Sequence, residues 1–275
     1  IRLSLVGSEM CIRDRYLLDY GAGNIQSLAN SLTKLGYTYE WVREPSDISK
    51  ADKLLFPGVG SFASAMDALH AKGYVEPLRA YIQSGKPLMG ICVGMQVLFE
   101  GSDESPGVQG LGIVPARVGR FATQDAFGRK AVPHMGWSLA NVVEWDGCAD
   151  QRHELAKSYG MHDANPSHYY FVHSYRVAWD ANVAEWALTT TQYGNEIFVS
   201  SIQHANVFAT QFHPEKSGQA GLDLLAAWLQ LEHVEPTTRV GRPVSSTEHM
   251  PTRRIVACLD VRSNDAGDLA VSYTH

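Results

Sequence analysis

"KPLMGICVGMQVLFEG", residues Lys86–Gly101, decides how the chain folds and where its chemistry lies. The apolar run before Cys92 predicts a buried strand, and Val93–Gly101 predicts the helix that follows it. Gly90 and Gly94 lie two residues to either side of Cys92. G-x-C-x-G between a strand and a helix is typical of a nucleophile elbow, a turn so sharp that side chains at the flanking positions would collide.

Such an elbow predicts a reactive thiol. It places Cys92 at the carboxyl end of the sheet, where open α/β sheets hold their sites. The thiol would also face the first turn of the next helix, whose unpaired N–H groups favour a thiolate. A core cysteine that only packs is the alternative, because cysteine is among the most buried residue types and the motif is short.

Strand and helix patterns alternate through the first half of the chain. Apolar runs predict strands at 16–20, 38–42, 53–60 and 87–91, and helical spacing is present at 24–36, 61–73 and 75–85. From residue 112 onward strand patterns follow one another closely, until an amphipathic helix at 221–232. We therefore predict an α/β fold: a central, mostly parallel sheet with flanking helices and additional strands in the second half.

The 275 residues divide into four segments. Residues 1–15 resemble translated library sequence and are expected to be a non-native lead-in, and 16–232 form the main domain. Residues 233–252 are polar, contain three prolines and are predicted to be a linker. Residues 253–275 hold one apolar strand pattern, with no second strand expected to pair with it.

Composition excludes several function classes. The net charge of −6 and the absence of a basic run argue against nucleic-acid binding. No apolar stretch approaches the ~20 residues that span a bilayer. Four scattered cysteines without a CxxC pair indicate free thiols and a reducing, cytoplasmic compartment. We expect no metal and no cofactor.

A cysteine nucleophile requires a base and a group that orients it. "TQFHPEKS" supplies His213 and Glu215, which project to the same side of an extended segment that Pro214 is expected to hold. His173 and His134 are the competing bases, although neither has an acid two residues away. The glycine-rich turn in "FPGVGSF" follows a strand, so backbone N–H groups at Gly58 and Val59 could stabilise an oxyanion together with that of Val93.

Four segments together, "PGVGSF", "GICVGMQ", "YYFVHSY" and "ATQFHPEKSG", resemble the class I (triad) glutamine amidotransferases. The resemblance covers about 16–230 and implies a flavodoxin-like fold that releases ammonia and glutamate from glutamine. It implies that Cys92 is the nucleophile, that His213 moves the proton and that Glu215 holds His213. It further implies an oxyanion site at Gly58, Val59 and Val93 and a grip on the amino-acid end of glutamine by Gln96, Glu104, Ser174 and Tyr175.

"DYGAGNIQSL" and "HMGW" are similar to the members of this family that pass ammonia to a (β/α)8 synthase barrel in histidine biosynthesis. "RRIVACLDVR" resembles the first strand of that barrel, with Asp260 at the position of its catalytic acid and the two parts fused as in eukaryotes. The resemblance implies a barrel-facing surface formed by Asn24, Trp137, Tyr170 and Lys216. Ser138 departs from the family pattern, which usually has asparagine there.

Two other functions remain open on this fold. A cysteine peptidase or γ-glutamyl hydrolase would use the same nucleophile on a peptide or polyglutamate, although "GMQ" and "HSY" favour glutamine. A regulatory module that has lost the chemistry is the non-enzymatic alternative, and intact Cys92, His213 and Glu215 argue against it.

Overall fold

A computed structural model describes residues 14–21, 25–126, 128–145, 151–161, 167–180, 182–231, 241–242, 260–263 and 269–272. The chain divides into two compact units, 1–245 and 246–275, and this division falls within the predicted linker. Asn24 lies outside the described residues. No helix in the described ranges is long and apolar enough to cross a membrane.

The helices and strands are as follows. The helices are α1 Gln26–Lys34, α2 Pro45–Lys50, α3 Phe62–Ala71, α4 Val75–Gln83, α5 Val93–Gln96, α6 Gln151–Ser158 and α7 Gly218–Gln230, with a 3-10 turn at Pro214–Lys216. The strands are β1 Arg15–Leu18, β2 Glu40–Val42, β3 Lys53–Gly58, β4 Leu88–Cys92, β5 Phe99–Ser102, β6 Val114–Arg120, β7 Gln124–Asp125, β8 Gly128–Arg129, β9 His134–Leu139, β10 Asn141–Val142, β11 Glu144–Trp145, β12 His168–His173, β13 Tyr175–Ala178, β14 Ala187–Tyr193, β15 Glu196–His204, β16 Val207–Thr210, β17 Gly241–Arg242, β18 Asp260–Ser263 and β19 Leu269–Ser272.

The central sheet contains both parallel and antiparallel pairs, and its end pair β6–β5 is parallel. Strands β2, β1, β3, β4 and β16 lie side by side and are all parallel. Beyond β16 the pairs β16–β15, β15–β13 and β13–β6 are antiparallel, as are β15–β14 and β14–β10. The prediction of a mostly parallel sheet is therefore wrong, because the closely spaced strands of the second half join the same sheet through short connections and make it mixed.

Burial explains why these segments form these elements. All six residues of β3 and all five of β4 are buried, as expected for strands covered on both faces. On α1, Leu28 and Leu32 turn inward at helical spacing, and Gly36 follows the helix with a φ of +80°, a conformation that glycine adopts without strain. Helix α7 buries Leu224, Leu225 and Trp228 against the same core.

One helix prediction is wrong in extent. Only Val93–Gln96 is helical after Cys92, and β5, Phe99–Ser102, follows at once. Phe99 pairs with Val114 of β6 in a parallel ladder, so pairing with a distant strand overrides the local helical pattern. Helix α2 was not predicted either; it begins with Pro45 at its first turn and a capping box between Glu44 and Asp47.

The last described segments also differ from prediction. Within the predicted linker, Gly241–Arg242 pairs antiparallel with Glu144–Trp145. Of the predicted lone strand only Asp260–Arg262 lies within the described residues, where Asp260–Ser263 pairs antiparallel with Leu269–Ser272. Residues 253–259 lie outside the described residues. A (β/α)8 barrel pairs its strands in parallel, and the assignment of 253–275 to a barrel therefore stays a prediction.

Candidate active site

The elbow at Cys92 is enforced by backbone contacts. Cys92 ends β4 with a φ of +55° and a ψ of −110°, a backbone conformation that residues other than glycine rarely adopt. A Cβ atom on Gly94 would overlap the carbonyl oxygen of Phe56 in β3, and one on Gly90 would lie 2.9 Å from the oxygen of Gly94. The expected collision at both flanking positions is therefore present, and strain at Cys92 is held in place by the surrounding sheet.

His213 and Glu215 form a buried pair. The Nδ1 atom of His213 lies 2.8 Å from Oε1 of Glu215, and both side chains are almost fully enclosed. The prediction that this segment is extended is wrong after His213, because Pro214 begins a 3-10 turn, a position that suits its fixed φ. The backbone N–H of His213 donates to the carbonyl of Tyr170, 2.9 Å away, which ties the turn to β12.

The charge on His213 depends on Cys92. Burial alone would lower the pKa of this imidazole, but the Cys92 sulfur and then Glu215 outweigh burial and raise the pKa to about 10. Within the described part of the chain the buried Nε2 atom has no partner at hydrogen-bond geometry. Catalytic contacts are commonly this loose before substrate binds, so the remaining nitrogen is available to the sulfur.

His173, one of the two competing histidines, is held neutral. The pKa of His173 is lowered to about 3, and burial is the largest cause of this shift. Its Nδ1 donates to the carbonyl oxygen of Tyr175 over 2.8 Å, which leaves Nε2 to accept from Nδ1 of His134, 3.2 Å away. Nε2 of His134 lies 2.9 Å from the hydroxyl oxygen of Ser138. His173 is thereby a poor base.

The predicted oxyanion turn lies beside the elbow. Gly58 pairs with Cys92 across β3 and β4, and Val59 and Val93 each follow that pair. A Cβ on Gly58 would lie 2.5 Å from the backbone nitrogen of Gly94, so only glycine fits. The hydroxyl of Tyr20 also reaches Gly58, and burial followed by the charge of Cys92 raises the pKa of Tyr20, which keeps the phenol protonated.

Of the predicted substrate residues, the structure brings Gln96 and Tyr175 into contact. Nε2 of Gln96 donates to the carbonyl oxygen of Tyr175 over 3.1 Å and to Oε1 of Gln211 over 2.9 Å. Nε2 of Gln211 in turn lies 3.6 Å from the sulfur of Cys92. Both N–H bonds of Gln96 are used in this way, so what it can offer a ligand is an oxygen that accepts.

Glu104 and Ser174 contact other parts of the fold. Oε2 of Glu104 accepts from the backbone N–H of Phe62 over 2.8 Å, at the first turn of α3 and directly after the oxyanion turn. The carbonyl oxygen of Ser174 accepts from the backbone N–H of Phe121, 3.1 Å away, and Ser174 itself is partly exposed.

Trp137 and Tyr170, two of the residues predicted to face a partner, lie side by side. Trp137 on β9 is 48% exposed, and its ring lies 6.1 Å from that of Tyr170 on the paired strand β12. Lys216 is exposed on the 3-10 turn that carries Glu215. Met135, two residues before Trp137, is 56% exposed and was not predicted; its alternation with Trp137 along a strand is the signal that could have found it.

Gln211 and Tyr20 were also missed. Gln211 directly precedes "FHPE", and Tyr20 belongs to "DYGAGN", so both lie inside motifs that sequence analysis singled out. Neither residue type signals chemistry by itself, because glutamine and tyrosine are ordinary at strand ends. Only their contacts across the sheet bring them to the site.

Comparison with known proteins identifies the family. A family model described as glutamine amidotransferase class-I matches residues 16–229. The chain is 46% identical over 260 residues to "Imidazole glycerol phosphate synthase hisHF" of Emericella nidulans, a match that covers 94% of this chain and 45% of that protein. It is 41% identical over 215 residues to "Imidazole glycerol phosphate synthase subunit HisH" of Methanothermobacter thermautotrophicus, covering 78% of this chain and 97% of that subunit.

The chain spans less than half the length of the fused hisHF relatives that it matches. Solved structures share its fold at low identity. A crystal structure of a glutamine amidotransferase has a TM-score of 0.53 and 20% identity over 77% of this chain and 98% of its own. A chain in the structure of PurLQS from Thermotoga maritima has a TM-score of 0.55 and 16% identity, over 79% and 98%.

Proposed function

Because the chain belongs to the class I glutamine amidotransferase family, we propose that residues 16–231 hydrolyse glutamine to glutamate and ammonia and deliver the ammonia to a synthase barrel in histidine biosynthesis. The observation that carries the proposal is a cysteine on a strained elbow whose charge raises the pKa of a buried histidine that is itself paired with a glutamate.

The proposed reaction uses three residues. His213 takes the thiol proton of Cys92, the sulfur attacks the side-chain carbonyl carbon of glutamine, and His213 passes that proton to the leaving nitrogen, so that ammonia departs and a glutamyl thioester remains. Water then attacks the thioester; His213 takes a proton from that water, the carbon–sulfur bond breaks and glutamate leaves. Glu215 accepts from Nδ1–H of His213 and stabilises the charged imidazole throughout.

The oxyanion of both tetrahedral intermediates requires donors aimed at it. We assign this role to backbone N–H groups of Val59 and Val93, which flank the Gly58–Cys92 pair. Glycine at position 58 allows the close approach of strand and elbow, and the protonated Tyr20 hydroxyl lies at the same position.

Substrate orientation follows from the donors and acceptors that remain. Gln96 presents an oxygen and Glu104 a carboxylate, which suits the ammonium end of glutamine. The backbone N–H groups of Ser174 and Tyr175 would donate to its carboxylate. A peptide joined through its α-amino and α-carboxyl groups would lack the free ammonium and carboxylate that these groups recognise.

The synthase barrel is the proposed partner, and it would dock on the surface of Trp137, Tyr170 and Lys216. This surface is joined to the active site, because Tyr170 holds the backbone of His213 and Lys216 lies next to Glu215. We place the reaction in a reducing compartment such as the cytoplasm, where Cys92 stays a thiol.

Glutamate release from glutamine, with and without a separately produced synthase barrel and its nucleotide ligand, tests this proposal. We expect slow release by the chain alone and faster release with the ligand-bound barrel, since uncoupled hydrolysis would waste glutamine. A chain that releases no glutamate under either condition, or one that cleaves γ-glutamyl peptides instead, contradicts the proposal.

A further inference from the structure

Gln211 contacts the nucleophile directly. It follows the last residue of β16, is 1% exposed, and has its backbone N–H bound to the carbonyl of Ser200 over 2.8 Å. Its Nε2 lies 3.6 Å from the sulfur of Cys92, an ordinary length for an N–H donor to a large sulfur atom. Glu215 and His213 act on the proton of the thiol, whereas Gln211 faces the sulfur itself.

The orientation of the Gln211 amide follows from its neighbours. The Tyr175 carbonyl oxygen can only accept, so the end of Gln96 that contacts it, 3.1 Å away, is the nitrogen. That same nitrogen lies 2.9 Å from the Gln211 amide and must donate there too, which makes the facing atom of Gln211 an oxygen. The nitrogen of Gln211 therefore points at Cys92.

We propose that Gln211 is a positioning residue that donates a hydrogen bond to the Cys92 sulfur and so favours the thiolate over the thiol, with its own orientation set by Gln96 and the Tyr175 carbonyl. A donor fixed on a buried sulfur favours the charged form, because a hydrogen bond to a charged acceptor is worth about twice a neutral one. The proposal rests on Cys92 being the nucleophile proposed above.

The test is the rate at which iodoacetamide alkylates Cys92 in the full chain, measured across pH by peptide mass spectrometry. In Gln211→Met, which nearly preserves side-chain size, we expect the midpoint of the rate-against-pH curve to move up by about one pH unit, or roughly tenfold slower labelling on its acidic side. Gln211→Glu should move it further, since a carboxylate there repels the thiolate.

Gln203→Met is the matched control. Gln203 is also buried in the sheet, with Oε1 accepting from the Tyr159 hydroxyl and Nε2 donating to the Ala205 carbonyl, so its loss should cost similar stability. We expect it to leave the labelling midpoint unchanged. An unchanged midpoint in folded Gln211 variants overturns the proposal.

If both Gln211 variants fail to fold, the proposal is tested on the wild-type chain. The side-chain amide protons of Gln211, followed by nitrogen-15 NMR, should shift with pH along the labelling curve and lose that shift in Cys92→Ala. If the chemical shifts of these amide protons do not follow the labelling curve, the proposal is overturned. Labelling requires no turnover, so a Gln211-dependent curve in a chain that never releases glutamate would refute the proposed function and leave this inference standing.

Discussion

The elbow at Cys92 and the polar cluster beside it (Gln96, Gln211, Tyr175, His173 and His134) are built in opposite ways. The elbow is local: two glycines within two residues of Cys92 permit a turn that the neighbouring strand then enforces. The cluster joins residues from several elements: His173 and Tyr175 are two positions apart, but its other hydrogen-bonded pairs are 39 to 115 positions apart. The first is governed by backbone sterics, the second by hydrogen bonds whose partners only the fold brings together.

The largest effect is expected at the base. His213→Ala should lower the turnover of glutamine by about 10³-fold, the middle of the range for loss of a positioned acid and base. Glu215→Gln should cost less, because Glu215 orients and stabilises His213 without moving the proton itself. Glutamate release with a synthase barrel present measures both. His70→Ala, on an exposed face of α3, is the control, and equal losses in all three variants would exclude His213 as the base.

One added methyl group at Gly94 should disrupt the turn at Cys92. Gly94→Ala places a Cβ on the carbonyl oxygen of Phe56, so we expect a loss of about 3 kcal/mol or more in the free energy of unfolding. Gly107→Ala is the matched control, since a Cβ there meets nothing within 4 Å and the residue has no positive φ. Urea unfolding compares the two. Equal stability of both variants would show that the elbow is not sterically enforced.

The polar cluster predicts a loss of stability in acid. His173 is neutral when folded, with a pKa of about 3, whereas an unfolded histidine titrates near ~6.5. Between these values only the unfolded chain takes up the proton, so stability falls as the pH falls below ~6.5, by about 2 kcal/mol at pH 5 relative to pH 7.

His173→Gln should flatten this acid slope, because it removes the titrating group. Urea unfolding at pH 7, 6 and 5 measures the slope, with His70→Gln as the exposed control. If His173→Gln keeps the full slope, the group that titrates lies elsewhere in the fold.

The smallest effect concerns the predicted linker. Cutting the chain after Ser245 keeps Gly241–Arg242 paired with Glu144–Trp145, whereas cutting after Glu232 removes that pair. We expect the two products to differ by less than about 1 kcal/mol in stability, since the ladder is two residues long. Thermal unfolding compares them. A cut after Glu232 that unfolds the domain would place the boundary of the domain beyond the linker.

The two regions also explain what could be predicted from sequence. Cys92, Gly90 and Gly94 report a local turn, and their spacing contains the geometry that the structure has. The same local reasoning failed at Val93–Gly101, where pairing with β6 converts the expected helix into a strand. Gln211 could not be predicted from sequence for a related reason: the role proposed for it depends on Gln96 and Cys92, which lie on other elements.

The His213–Glu215 contact was predicted in part. Its two members are close in sequence, so the pair was predicted, but the 3-10 turn that brings them together was not. Mixed pairing in the sheet was missed because strand patterns carry no sign of direction.

The central claim is that Cys92 is the nucleophile for glutamine. Its most direct test is to treat the chain with an electrophilic γ-diazoketone analogue of glutamine and to locate the adduct by peptide mass spectrometry. We predict one adduct on Cys92, slowed by added glutamine and absent from Cys92→Ala, with Cys11, Cys148 and Cys258 unmodified. An adduct at another residue, or glutamate release that persists in Cys92→Ala, would contradict the account.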